Sequence, residues 1–85
     1  MCKSFKQNLG INIGKIRAEK HMTQENLALE SGISRSHIAM IETGKRDITV
    51  SSLFKISRAL GVNLQKIFDF DDLEKFKFDI EELYR

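Results

Sequence analysis

Residues 24–46 read QENLALESGISRSHIAMIETGKR, and within them Ala28, Gly32, Ile33, Ile38 and Ile41 stand at the spacings that two short helices need to cross steeply around a tight turn. Leu27 and Ala28 lie on the inner face of a helix opening at Thr23 or Gln24. A side chain larger than Ala28 would push the second helix away. Gly32 ends the first helix where the chain needs a positive φ, which glycine adopts without a Cβ penalty. Ser34 then offers an oxygen to the orphan amides of the next helix, as an N-cap does. Ile33, Ile38 and Ile41 point back into the crevice, the last two three residues apart on one stripe.

What remains outside is Ser34, Arg35, Ser36, Ala39 and Met40, with Thr43, Lys45 and Arg46 just beyond. This face is short, polar and basic at its N-terminal end, the end that a recognition helix inserts into the major groove of DNA. Arg35 is the candidate for base readout, because its planar fork can bond guanine O6 and N7 together, worth roughly 1–3 kcal/mol of discrimination. Ser34, Ser36 and Met40 share the face and are assigned to base contacts with it. Gly44, Lys45 and Arg46 read as a flexible basic turn that grips the sugar-phosphate backbone, a contact that orients but carries no sequence information.

The stretch from Asn12 to Leu64, through IGKIRAEKHMTQENLA and GISRSHIAMIETGKRDITVSSLFKISRALGV, resembles the Cro/C1-type (xenobiotic-response-element) helix-turn-helix family of bacteria and phages. The segment SRSHIAMIETGKRDIT is also similar to the small controller proteins of restriction-modification systems, whose recognition helices carry a similar arginine. The resemblance implies an all-α, five-helix, lambda-repressor-like DNA-binding domain. It further implies that the side chains and amides of Thr23 and Gln24 touch a phosphate at the start of the first motif helix, a placement the helix dipole favours. Arg17 and Glu42 match two positions that pair in relatives, so the resemblance makes them a partly buried structural ion pair and not, for Arg17, an exposed helix cation. One departure stands at His21, where the family has glycine, asparagine or a similar residue after its first helix. If that helix ends in a left-handed turn, His21 takes a positive φ, a conformation in which histidine is enriched. An exposed turn histidine is the simple reading, and a pH sensor or metal ligand the alternative.

Composition agrees. Eighty-five residues make one domain with a small core, of a size often helped by oligomerisation. The net charge of +2 is modest, but residues 1–46 hold eight Lys and Arg against four Asp and Glu, whereas residues 47–85 hold six against eight. The basic half is the one carrying the motif. A single cysteine, Cys2, precludes an internal disulfide and suits a reducing cytoplasm. The polar start MCKSFKQNLG is unlike a signal peptide, and no apolar run approaches the roughly 18 residues of a membrane span.

Apolar periodicity predicts five helices. The first spans Leu9–Lys20, with Leu9, Ile13 and Ile16 inward; the second runs Gln24–Ser31 and the third Arg35–Thr43. Thr49 caps a fourth, which buries Leu53, Ile56, Ala59 and Leu60 and stops at Gly61. Asn63 caps a short fifth in which Leu64, Ile67 and Phe68 are expected to be buried. The division expected is a DNA-binding domain over 1–68 and a tail over 69–85.

That tail carries seven acidic against three basic residues. A helix would align Leu73, Phe76, Ile80 and Leu83, a strand Phe76, Phe78 and Ile80, and Asp71 with Asp72 suits a helical first turn. Four of the six phenylalanines fall between Phe68 and Phe78, and Phe54 sits one position off the core stripe of the fourth helix. So much apolar surface predicts a two-fold dimer built on Phe54, Phe68, Phe70 and Phe76; the alternative is a tail that folds back to complete the core. A two-fold dimer would present two recognition helices to successive major grooves and demand a palindromic operator.

Enzymatic readings find no support. Ser34, His37 and Glu42 could be imagined as a triad, but one exposed helix offers no oxyanion pocket, and His37 reads instead as a flank residue near the phosphates. Two separated histidines and a terminal cysteine are no zinc site, no P-loop is present, and no cofactor is expected. The expectation is a sequence-specific, dimeric transcription regulator acting on double-stranded DNA, by occlusion or by touching RNA polymerase. The alternative is an antitoxin whose tail wraps a toxin while the same motif autoregulates its operon.

Overall fold

The computed structural model describes residues 4–70. Five helices follow one another: α1 Phe5–Glu19, α2 Gln24–Ser31, α3 Arg35–Glu42, α4 Val50–Leu60 and α5 Leu64–Ile67. Each opens on a side chain that accepts the amide proton of its third residue, supplied in turn by Ser4, Thr23, Ser34, Thr49 and Asn63. These caps satisfy donors that a helix start otherwise leaves unpaired. Two of them are reciprocal boxes. The Gln7 side chain takes the amide proton of Ser4 at 2.8 Å, and Asn26 does the same for Thr23 at 3.1 Å.

The Ser4 box explains why α1 begins at Phe5, four residues before the predicted Leu9. The added turn extends the inward stripe only through Phe5, which packs half-buried against the core, so hydrophobic spacing missed it. At the other end His21 has a φ of 57°, with its N–H on the carbonyl of Ala18 and that of Met22 on Arg17, so the conditional left-handed turn is present. Gly32, at φ 74°, closes α2 as expected.

Helix α3 packs on α1 and α2, α4 on α2 and α5, and α5 on α1. Among the described residues Leu9, Ile13, Ile16, Leu27, Ile33, Ile38, Ile41, Leu53, Ile56, Leu60 and Ile67 form one core. Each isoleucine buried completely stabilises the fold by about 1.5–3 kcal/mol relative to exposure. No aromatic ring enters this set; Phe5 instead gathers Phe68 and Phe70 into a half-buried cluster, with ring centroids at 6.0 and 5.8 Å. Leu64 departs from expectation by lying exposed. A helix of one turn has room to direct only one side chain fully inward, and Ile67 takes that place. The predicted helix or strand beyond Asp71, and Phe76 with it, lies outside the described residues.

Two polar details lock the bundle. The buried Asn12 donates its amide protons to the carbonyls of Ile67 at 2.6 Å and Lys66 at 3.1 Å, tying the middle of α1 to the end of α5. Gly10 lets α1 meet α3 backbone to backbone, since a Cβ there would overlap the carbonyl oxygen of Ile41.

Candidate nucleic-acid interface

Helix α3 is seated by Ile38 and Ile41, 0 % and 2 % exposed, and turns Ser34, Arg35, Ser36 and Met40 outward. The cap on Ser34 decides this phase. Its hydroxyl oxygen accepts the amide proton of His37 at 3.1 Å, which starts the helix at Arg35. The Arg35 side chain is exposed and, among the described residues, has no hydrogen-bond or ionic partner. His37 is half-buried beside it in sequence.

The C-terminal end of α3 is fixed by charge. Arg17 of α1 grips Glu42 with two parallel bonds, Nε to Oε2 at 2.8 Å and Nη2 to Oε1 at 3.1 Å. Its remaining Nη1 donates to the carbonyl of Met22 at 2.7 Å. The side-chain hydrogen bond to Glu42 holds the guanidinium above the ordinary arginine range, with burial opposing it and the carboxylate's charge assisting. This is the ion pair implied by the family resemblance, with Arg17 and Glu42 side chains 20 % and 9 % exposed.

The same carboxylate reaches a third helix, a link that sequence reasoning missed. Gln24 donates its side-chain amide to Glu42 Oε1 at 3.2 Å, which brings the start of α2 beside the end of α3. Thr23, Gln24, Thr43, Lys45 and Arg46 therefore gather around one end of the recognition helix. Arg35 occupies the other end, about 10 Å away at 1.5 Å per residue. At the α2 start, the amides of Gln24 and Glu25 have no partner among the described residues. Thr43 donates its hydroxyl proton to the carbonyls of Ala39 and Met40, at 2.9 and 3.2 Å, so it meets an anion only after releasing them.

The turn after α3, which its composition predicts to be flexible, is tied back to the helix and packed against α1. The amides of Gly44 and Lys45 bond back to Ile41 and Met40, and Gly44, buried at φ 72°, lies so near α1 that a Cβ would come 2.8 Å from the α carbon of Gln7. Lys45 and Arg46 thus project, exposed, from an anchored turn. The signal was present but unread: Gly10 and Gly14, four apart on α1, mark the face on which α3 lies. A Cβ on Gly14 would sit 3.2 Å from Glu42 Oε1.

Among the described residues no His, Cys, Asp and Glu cluster could hold a metal, and no helix is long and apolar enough to cross a membrane. A seated helix with a polar, basic outer end, flanked by free amides and projecting cations, defines a protein built to lie against a nucleic-acid duplex.

Comparison with known proteins agrees. Residues 13–67 match the family model described as helix-turn-helix, and the chain belongs to the Cro/C1-type helix-turn-helix family of non-enzymatic, DNA-binding transcription regulators. Control protein C.BamHI of Bacillus amyloliquefaciens is 37% identical over 71 residues, covering 82% of this chain and 88% of that protein. The restriction-modification controller protein C.AhdI from Aeromonas hydrophila superposes with a TM-score of 0.71 at 28% identity, over 72% of this chain and 92% of that one. C.Esp1396I, solved bound to a 19 base pair DNA duplex, gives 0.73 at 37% identity over 79% and 89%.

Proposed function

We propose that the chain is a dimeric, cytoplasmic, sequence-specific regulator of the restriction-modification controller type, reading a palindromic operator with α3. The observation that carries this is Arg35, exposed and without a partner among the described residues, on the first turn of a helix whose opposite side is locked in the core. In this reading Ser34, Arg35, Ser36 and Met40 contact base edges, with Arg35 forked onto guanine. Thr23, Gln24, His37, Thr43, Lys45 and Arg46 hold the phosphates on either side, the first two through the α2 amides.

Dimerisation rests on the surface around Phe54, which is 52 % exposed with the Arg58 guanidinium 5.8 Å from its ring centroid, and on the half-buried Phe68 and Phe70. Phe76 and the tail over 69–85, assigned to dimerisation from the sequence, are part of the proposed interface. Two-fold symmetry sets the recognition helices about 34–36 Å apart, one turn of the duplex. Bound at a promoter, such a dimer represses by occlusion.

Selection of bound duplexes from a random pool tests the proposal. Two inverted half-sites with centres about one helical turn apart are expected. A pool that remains random, or a consensus with one unrepeated half-site, would overturn the readout or the dimer respectively.

A further inference from the structure

We infer that Gln24 is a positioning residue for sequence readout, acting through the Glu42 carboxylate at the end of α3; this rests on α3 being the recognition helix. Ile38 and Ile41 seat the inner face of α3 in the core, and the side-chain hydrogen bonds that reach α3 from α1 and α2 fall on its last residue. Directional bonds act on it at Glu42, from two sides. Arg17 pulls from α1 and Gln24 from α2, both onto Oε1, while Arg17 itself is bolted to the Met22 carbonyl.

The lever from Glu42 to Arg35 makes this matter for readout. A rotation of about 10° about the axis moves a side chain reaching about 5–6 Å from it by about 1 Å. Paired hydrogen bonds to one base tolerate only a few tenths of an ångström. Gln24 is half-buried and bound to protein through its side chain, whereas its backbone amide, like that of Glu25, has no partner among the described residues and can take a phosphate. The two functions of this residue are therefore separable. Alanine removes the bond to Glu42 and keeps the amide, and the neighbouring Thr23–Asn26 cap does not involve the Gln24 side chain.

The test compares wild type, Gln24→Ala and Gln24→Glu on the duplex recovered from the random pool and on a scrambled duplex, across a salt series, below the melting temperature of each variant. For Gln24→Ala, affinity for the selected duplex is expected to fall roughly five- to tenfold, the worth of one hydrogen bond, with scrambled binding and salt slope unchanged. Gln24→Glu, which sets a second carboxylate against Glu42, is expected to reduce the selected-to-scrambled ratio further while weakening both duplexes by repulsion. An equal loss on both duplexes with Gln24→Ala, with the slope reduced by about one unit, would mean a phosphate contact only and overturn the inference. So would an unchanged ratio. A wild-type protein that does not distinguish the duplexes would sink the reading of α3 itself, whereas a preference that survives in Gln24→Ala sinks the positioning role alone.

Discussion

The α carbon of Gly10 lies directly against the carbonyl oxygen of Ile41, so that α1 and α3 touch through backbone with no side chain between them. This contact sets the depth of α3 in the fold. The obstructing atom is backbone and cannot swing aside. Gly10→Ala is expected to destabilise the protein by about 2–3 kcal/mol, read from the urea midpoint at unchanged slope. A change within about 0.5 kcal/mol, typical of surface substitutions, would show that the helices separate at little cost.

Glu42→Ala strands Arg17 in a site that is four-fifths closed. The expected loss is about 3 kcal/mol by calorimetry. The hydrogen bond to Glu42 raises the folded-state value of Arg17, so its contribution is fully present below the ordinary arginine range and vanishes only as pH rises through the higher folded value. Between pH 7 and 10 the guanidinium should therefore add no slope to stability.

Arg35→Ala leaves the fold intact, since that side chain has no partner among the described residues to lose. It should cost roughly 1–3 kcal/mol at the selected site and relax preference at one base pair, read by repeating the selection. An unaltered consensus would reassign the readout to another residue.

Lys45→Ala and Arg46→Ala should act differently, weakening selected and scrambled duplexes alike and lowering the salt slope by about one unit each. Titrations at several salt concentrations distinguish this from the Arg35 effect. Because Gly44 anchors the turn on Gln7, Gly44→Ala is expected to reproduce both losses at once, together with a lower melting temperature.

His21→Gly replaces an exposed side chain at φ 57° with the residue best suited to that conformation. Relief of the left-handed strain should raise stability by about 0.5–1 kcal/mol, visible as a higher melting temperature with DNA affinity unchanged.

The five helices, most of their ends and the outward face of α3 were legible because their causes are local. A cap on Ser34 acts three residues away, Gly32 acts at its own φ, and isoleucines three apart declare one helical stripe. The pairing of Arg17 with Glu42 came from family resemblance and not from spacing. Helix α1 starts earlier than the apolar stripe predicts because the Ser4–Gln7 box adds a turn whose one apolar residue, Phe5, is only partly buried.

What tertiary structure alone decided links residues far apart in the chain. Asn12 finds Ile67 across 55 positions and Gln24 finds Glu42 across 18. No periodicity encodes such bonds, since each exists only after the apolar stripes have brought the helices together and a polar group is left facing a carbonyl or carboxylate. The same holds for the turn at Gly44: its composition suggests a flexible loop, and only the folded chain shows it packed on the surface of α1. Sequence by itself thus determined which helices form and which way each one faces, and packing determined how firmly the reading surface is held.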